Sequence, residues 1–285
     1  MTLQATVETI AALPHVLADM NYLAPMAERP RNYTFDPPAG VPRSNAQHEA
    51  HRVAIHDARP IADRISLDAT GFALVKHASA VRDFFDEEEV RRVYYPEVER
   101  IVKEATGAWR VHIFDHTTRR RMAGVEDRSG GPRQPVQRVH IDHTARSGPQ
   151  RVRDLLPDEA GELLKGRVQV INVWRPINGP LLDSPLAVCD ATSVGADQLV
   201  PSDLVYPHRV GETYSVTYDP AHRWYYVPRM RTDEALLLKC SDTSTAVPAR
   251  FTPHSAFVDP TAPADAPPRE SIEVRTLVFH RWRRT

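Results

Sequence analysis

Short runs in which apolar and polar residues alternate dominate the chain from residue 108 onward. Turn residues separate these runs, and such alternation is typical of half-buried β-strands. In chain order the runs are WRVHIFDHTTRR, QRVHID, GRVQVINVWRPI, SPLAVCDATSV, TYSVTYD, WYYVPRM, EALLLKCSD, ARFTPHSAF and ESIEVRTLVFHRW. A helical pattern at 148–166 interrupts them. Short strands after an α-rich start predict a mainly β fold, a sandwich or barrel with flanking helices packed outside it.

The first 107 residues show a different pattern. We predict a helix at 5–22, an extended polar arm at 27–50, a strand pair at 64–77 and a helix at 86–107. Acidic residues open the last of these helices and Gly107 ends it, while Pro96 should kink it or split it in two. We therefore predict a single domain over 1–285, in which a mostly helical and extended part, 1–107, covers a β core formed by 108–285.

Composition narrows the class of protein. A net charge of -1 argues against a nucleic-acid binder, which is normally basic. The N-terminus lacks a basic segment followed by an apolar one, and no apolar run is long enough to span a membrane. Cys189 and Cys240 lie in apolar runs and read as buried thiols of a reducing compartment. We therefore expect a cytoplasmic protein that acts on a small molecule.

The stretch RVHIDH, 138–143, places two histidines and an aspartate within four residues. At the end of a strand, His140 and Asp142 point to one face, while Val139 and Ile141 point to the other. A His-X-Asp pair supplies two of the three ligands of a facial triad for non-haem Fe(II). The alternative reading is a histidine-rich surface turn.

Two later stretches offer the groups that such a triad requires. His254 lies in the strand-like run ARFTPHSAF, and the last strand begins PPRESIEVR. Alternation places Arg269, Ser271, Glu273 and Arg275 on one face of that strand, which must therefore meet solvent or a polar cavity. A guanidinium next to a hydroxyl suits a carboxylate. The alternative is a surface ion pair for Arg269 and a loop cap for His254.

Several long stretches resemble a known family when they are taken in order. They are SLDATGFALVKH, VYYPEVERIVKEATGA, VHIDHTARSGPQRV, INVWRPI, SPLAVCDATSV, WYYVPRM, EALLLKCSDT, FTPHSAFVDP and PPRESIEVRTLVF, and they span roughly residues 30–280. The chain resembles the CmcJ-like hydroxylase/desaturase family of non-haem Fe(II)/2-oxoglutarate-dependent oxygenases. The resemblance implies a double-stranded β-helix, the jelly-roll or cupin-like fold, in the β core.

The resemblance also implies a set of cofactors and residues. Fe(II) would be bound by His140, Asp142 and His254, and O2 would be the oxidant. 2-Oxoglutarate would chelate the metal and place its far carboxylate on Arg269 and Ser271, with Arg275 as the less favoured anchor. His143 points away from the metal face of a regular strand, so it is not expected to be a ligand. Candidate pocket residues are Asn172, Trp174, Arg175, Tyr225 and Lys239, each with structural packing as its alternative role.

The family activity is hydroxylation, or desaturation and cyclisation, of a small secondary metabolite. A non-redox, cupin-like isomerase or epimerase with the same metal ligands is a second reading, and it would not need Arg269. A ligand-binding protein on a degenerate oxygenase scaffold is a third. A zinc hydrolase is disfavoured because the H-E-x-x-H pattern is absent from the sequence. The sequence predicts neither the substrate nor the oligomeric state.

Overall fold

The computed structural model of the chain describes residues 12–122, 124–125 and 133–282. The strands are β1 (His15–Leu23), β2 (Arg31–Tyr33), β3 (His48–Asp57), β4 (Phe72–Lys76), β5 (Arg110–Arg120), β6 (His140–Ile141), β7 (Val168–Pro176), β8 (Leu186–Cys189), β9 (Leu199–Val205), β10 (Val210–Val216), β11 (Trp224–Tyr226), β12 (Glu234–Asp242), β13 (His254–Ala256) and β14 (Glu270–Phe279). The helices are α1 (Glu87–Glu89), α2 (Tyr95–Thr106), α3 (Ser147–Leu155) and α4 (Ala160–Leu163), with a π-helical turn (Val90–Tyr94) and 3-10 turns (Arg59–Ile61, Ala191–Ser193, Ala196–Gln198).

The strands form two sheets. One has nine strands in the order β1-β3-β11-β8-β13-β6-β10-β9-β2, and the other has five in the order β4-β12-β7-β14-β5. Neighbouring strands are antiparallel, except that β11 runs parallel to β3 and β2 parallel to β9. Two packed, largely antiparallel sheets are the architecture of the predicted double-stranded β-helix. The prediction of a mainly β fold with flanking helices is confirmed.

Two hydrophobic clusters cover the two faces of the five-stranded sheet. The inner face contributes side chains such as Trp174, Leu236 and Leu277 to the cluster shared with the nine-stranded sheet. The outer face packs Val173 and other residues against helix α2 and the turn that precedes it. Strand β7 is therefore buried along its whole length, including its polar residues Gln169, Asn172 and Arg175.

Residues 1–11 of the helix predicted at 5–22 lie outside the described part of the chain. Over the residues that are described, the prediction is wrong. His15–Leu23 is strand β1, which pairs with β3 over its full length. Its buried side chains alternate, with Val16, Ala18 and Met20 inside and Leu17 exposed. The short apolar run fits either period, and burial against a sheet selects the period of two.

Between residues 15 and 76 the N-terminal part, predicted to be mostly helical and extended, forms strands β1 to β4 and one 3-10 turn, Arg59–Ile61. Strands β1 to β4 belong to the two sheets, so residues 15–76 extend the β core instead of covering it. The strand pair predicted at 64–77 is half correct, because residues 66–70 form a turn and only Phe72–Lys76 is extended. Strand β9, whose sequence LVPSDLV contains a proline, was not predicted. The assignment of the whole chain to one domain stays a prediction.

Proline shapes the other two predicted helical segments. In the segment 86–107 the Tyr95 N–H bonds to the Val90 carbonyl, a π-type bond, immediately before Pro96, which has no N–H to donate. The helix continues to Gly107, whose φ of 67° is left-handed and ends it as predicted. The segment 148–166 is two helices instead of one, because Pro157 disfavours helical geometry at the residue that precedes it.

Candidate metal centre

The three predicted metal ligands lie on two adjacent strands. His140 is on β6 and His254 is on β13, and the two residues are directly paired across the strands. Asp142 follows β6 by one residue, so it lies on the same side as His140. One donor atom from each of these side chains lies within 4.8 Å of the other two. Strand register thus brings together residues that are far apart in the sequence.

Backbone carbonyls orient both imidazoles. Nδ1 of His140 lies 2.8 Å from the Arg138 carbonyl oxygen, and Nδ1 of His254 lies 3.1 Å from the Thr252 carbonyl oxygen. A carbonyl only accepts, so each Nδ1 carries the proton and donates. Each Nε2 then keeps its lone pair, and this is the tautomer that binds a metal through Nε2.

The Asp142 carboxylate is divided between two environments. Its Oδ1 lies 3.4 Å from Nε2 of His140 and 3.9 Å from Nε2 of His254. Its Oδ2 accepts hydrogen bonds from Nδ2 of Asn172 at 2.8 Å and from Nε of Arg275 at 3.3 Å. Burial alone would raise the pKa of Asp142, but the contact with His140 and the charge of Arg275 outweigh it and hold the pKa well below its usual range.

The donor set fits Fe(II). Two neutral imidazole nitrogens and one carboxylate oxygen form the facial triad that leaves open positions on the metal. The side chains are only 12%, 17% and 5% exposed for His140, Asp142 and His254, so the group is shielded without being sealed. Among the described residues, His140, Asp142 and His254 form the group of side chains whose donor atoms lie close enough together to bind one metal ion.

Arg269 is a buried cation that immediately precedes strand β14. Its guanidinium donates from Nε to Ser271 Oγ at 3.1 Å and from Nη1 to the Ser184 carbonyl at 2.8 Å, and it lies 5.0 Å from the Trp174 ring. Within the described ranges, no carboxylate forms an ion pair with this guanidinium. Burial lowers the pKa of Arg269 to about 9, and the charge of Arg119 acts in the same direction. A buried cation without a carboxylate partner is unfavourable, so this position favours an anion.

Arg275 occupies a different environment. Its guanidinium bonds Asp142 through Nε, Asp115 through Nη1 at 3.0 Å and Glu273 through Nη2 at 2.9 Å. Three carboxylates already surround this cation, so it orients Asp142 and has less to offer a further anion than Arg269 has. The structure therefore separates the two arginines that the sequence placed on one face of the last strand.

The predicted pocket residues divide into two groups. Asn172 and Trp174 lie on the inner face of β7, where Asn172 binds Asp142 and Trp174 stacks on Arg269. Arg175 points to the outer face, between the rings of Tyr94 and Phe84, because alternation along β7 places it opposite Trp174. Arg175 is therefore not a pocket residue.

Tyr225 and Lys239 also lie away from the metal ligands. Tyr225 packs near the rings of Phe72 and His56 inside the core. Lys239 donates to Asp68 at 2.6 Å and to Asp242 at 2.8 Å, which satisfies its buried charge. The alternative role that the sequence left open, structural packing, describes both residues.

A cavity of about 900 Å³ opens onto the metal ligands. His140, Asp142 and Arg275 lie at its floor, and its walls come from β5, helix α3 and the β9–β10 hairpin. His143 also lines it, with Nδ1 at 3.3 Å from Ser147 Oγ, and burial lowers the pKa of His143 to about 4. His143 is absent from the ligand cluster, but it lines the same cavity as His140 and Asp142, because the strand ends at Ile141 and the expected alternation does not extend to His143.

Comparison with known proteins identifies the family. A family model described as an oxidoreductase/YMDC permease-like domain matches residues 20–279. The Fe(II)/2-oxoglutarate-dependent dioxygenase nvfI of Aspergillus novofumigatus is 36% identical over 254 residues, which cover 87% of this chain and 90% of that protein. The hydroxylase/desaturase efuI of Hormonema carpetanum is 34% identical, over 93% of this chain and 95% of its own length. This chain belongs to the hydroxylase/desaturase family of Fe(II)/2-oxoglutarate-dependent oxygenases.

The fold of this oxygenase agrees with that assignment. The solved structure of the iron and alpha-ketoglutarate-dependent endoperoxidase NvfI superposes with a TM-score of 0.86 at 33% identity, covering 93% of this chain and 98% of that one. The predicted family, enzyme class and cofactors, Fe(II), 2-oxoglutarate and O2, are confirmed. Along the described part of the oxygenase, no helix is long and apolar enough to span a membrane.

Sequence reasoning missed several groups of the oxygenase site. Asp115 and Phe114 on β5 line the cavity, as do Arg151 on α3 and Arg209 in the β9–β10 hairpin. The alternation of β5 places Asp115 on the inner face opposite Arg275, a signal that the sequence contained. The contribution of the hairpin could not be read from the sequence, because β9 itself was not recognised.

Proposed function

We propose that this oxygenase binds Fe(II) through Nε2 of His140, Oδ1 of Asp142 and Nε2 of His254. The support is the convergence of these three atoms and the fixed tautomer of each imidazole. Asn172 and Arg275 hold the other carboxylate oxygen, which leaves Oδ1 as the ligand atom. Because one oxygen of the Asp142 carboxylate faces the metal and the other accepts hydrogen bonds from the protein, the orientation of the carboxylate is fixed.

We further propose that Arg269 and Ser271 bind the far carboxylate of 2-oxoglutarate. The observation that carries this proposal is a buried guanidinium without a carboxylate partner in the described part of the chain. An unpaired buried charge is unfavourable, and a dianionic cosubstrate would remove that penalty when it binds. The Trp174 ring, 5.0 Å from the guanidinium, keeps the arginine in place for a carboxylate to approach its edge.

The proposed reaction is oxidation of a C–H bond in a small molecule held in the 900 Å³ cavity. Bound Fe(II) would activate O2, which is the oxidant, and 2-oxoglutarate would supply electrons as the co-substrate that is oxidised alongside the C–H bond. The protein positions the substrate above His140 and Asp142, and the cavity walls restrict access of water. Hydroxylation, or desaturation and cyclisation, of a secondary metabolite are the outcomes we propose. Two buried free cysteines, Cys189 and Cys240, support the cytoplasmic location that we also propose.

Anaerobic visible spectroscopy tests this function. Metal-free protein receives Fe(II) and then 2-oxoglutarate, and we expect a weak charge-transfer band that requires both. The band should be lost in Arg269→Met at 2-oxoglutarate concentrations that saturate the wild type. Arg121→Met is the matched control, since Arg121 neighbours Arg269 through the backbone and is exposed. Iron bound without the band would contradict the cosubstrate site, and failure to bind iron would contradict the triad.

A further inference from the structure

The cavity is lined by an excess of positive charge. Among the described residues, eight arginines and four carboxylates line it. The carboxylates already have partners. Asp142 belongs to the metal site, Asp115 pairs with Arg275, Asp154 accepts from Gln150, and Glu212 is held by two arginines. These contacts do not involve Arg151 or Arg209.

Two of these arginines line the cavity from different structural elements. Arg151 lies in helix α3 and Arg209 lies at the turn of the β9–β10 hairpin. In the ranges the structure describes, neither guanidinium forms a hydrogen bond or an ion pair. Burial lowers the pKa of Arg151, and the charge of Arg209 lowers it further, while the charges of Asp115 and Asp154 act in the opposite direction. Two guanidiniums that line one cavity without a direct carboxylate partner among the described residues favour the binding of an anion there.

Aromatic rings hold both guanidinium groups in position. The Arg151 guanidinium lies 5.0 Å from the Phe114 ring, and that of Arg209 lies 3.9 Å from the Tyr206 ring. Stacking on a ring fixes a guanidinium while leaving its N–H edge available for an acceptor. All four residues line the cavity that opens onto His140 and Asp142.

We propose that Arg151 and Arg209 bind an anionic group of the substrate, so that the oxygenase acts on a small molecule that carries a carboxylate or another oxyanion. Phe114 and Tyr206 would contact the apolar part of that molecule. This inference rests on the proposed function, because it concerns the substrate of the same site. The anion site is distinct from the one at Arg269, which does not line the cavity.

A pair of fluorescent probes tests the proposal. 8-Anilinonaphthalene-1-sulfonate carries a negative charge, and N-phenyl-1-naphthylamine has the same rings without it. Both are titrated into protein that holds Fe(II) and 2-oxoglutarate under anaerobic conditions, so that Arg269 is already occupied. The wild type should bind the sulfonate at least about tenfold more tightly, as expected for charge-assisted hydrogen bonds. The double variant Arg151→Gln/Arg209→Gln should bind both probes equally.

Matched variants separate this site from general charge effects. Arg153→Gln removes an exposed arginine of the same helix that does not line the cavity, and it should keep the preference for the sulfonate. Arg151→Lys should keep part of it, and Arg209→Gln alone, at an exposed position that does not threaten folding, should lower it. Equal binding of the two probes by the wild type, or an unchanged preference in the double variant, would overturn the proposal.

Competition identifies the oxyanion. Displacement of the sulfonate by benzoate alone indicates a carboxylate substrate, and displacement by inorganic phosphate as well indicates a general oxyanion site. Displacement by neither contradicts the proposal.

The charge-transfer band is recorded on the same samples. A band without any sulfonate preference means that the function stands and the anion site does not. If the wild type prefers the sulfonate, the double variant loses that preference and no charge-transfer band forms, then the anion site stands and the proposed function does not.

Discussion

Nε of Arg275 lies 3.3 Å from Oδ2 of Asp142, the carboxylate oxygen that does not approach the two imidazoles. Nδ2 of Asn172 binds the same oxygen at 2.8 Å. The aspartate therefore enters the metal site already oriented by a cation on β14 and an amide on β7. These contacts join the five-stranded sheet to a ligand carried by the nine-stranded sheet.

Removal of the amide should weaken metal binding without removing a ligand. We expect Asn172→Ala to lower the Fe(II) affinity by about tenfold or more, the usual effect of losing a partner that orients a ligand. Anaerobic equilibrium dialysis against a competing chelator measures this affinity. Asn45→Ala is the control, because the Asn45 side chain bonds the backbone of Arg29 and Arg31 beside β2, the edge strand of the nine-stranded sheet. An affinity equal to that of the wild type would contradict the role of Asn172.

His140 and His143 lie close together in the sequence and offer a matched pair of variants. His140→Ala should abolish stoichiometric iron binding, because it removes one of three ligands. His143→Ala should leave the iron content near that of the wild type, because His143 bonds Ser147 and lies outside the ligand cluster. Iron analysis of anaerobically loaded protein measures both. Loss of iron in His143→Ala would mean that the ligand set is wrongly assigned.

The Arg269 site predicts a thermal signature. With Mn(II) in place of iron, 2-oxoglutarate should raise the Tm of the wild type and should have little effect on Arg269→Met. The metal-bound protein without cosubstrate should not be strongly destabilised by Arg269→Met, because the substitution removes an unpaired buried charge as well as two hydrogen bonds. Differential scanning calorimetry measures both effects. The same cosubstrate-dependent rise in Arg269→Met would place the anchor elsewhere.

Glu212 predicts a pH dependence of stability. Burial would raise its pKa, but bonds from Arg146, Thr144 and Arg29 lower it to about 2. A depressed folded-state pKa stabilises the fold above the unfolded value of about 4.3, and this stabilisation is lost as the pH falls toward 2. Urea unfolding of the wild type and Glu212→Gln should differ constantly from pH 7 to about pH 5 and converge at lower pH. A constant difference down to pH 3 would contradict the shift.

Local patterns predicted the features of the fold that depend on neighbouring residues. Strand alternation predicted that His140 and Asp142, the proposed metal ligands, share one face, and it predicted the polar face of β14, because both follow from a period of two. The ends of helix segments at Gly107 and near Pro96 followed from backbone chemistry. The family resemblance supplied His254 as the third ligand beside His140 and Asp142. No local pattern relates residues so far apart in the sequence.

Features that depend on tertiary packing were not predicted. The apolar residues of β1 fit a helix and a strand equally well, and only pairing with β3 selects the strand. Arg175 and Lys239 were candidate pocket residues by their chemistry, yet the sheet faces on which they lie turn them away from the metal. Which of two buried arginines has free hydrogen-bonding capacity, Arg269 or Arg275, depends on neighbours from other strands.

The lining of the cavity comes from two kinds of support. The proposed metal ligands and their partners lie on strands of both sheets or directly beside them, whereas Arg151 and Arg209 lie on a short helix and a hairpin turn. Substitution of Arg151 or Arg209 removes none of the hydrogen bonds that Asn172 and Arg275 donate to Asp142. The oxygenase is thus organised so that the range of accepted molecules can diverge, in evolution or by engineering, while the oxidising centre is inherited unchanged.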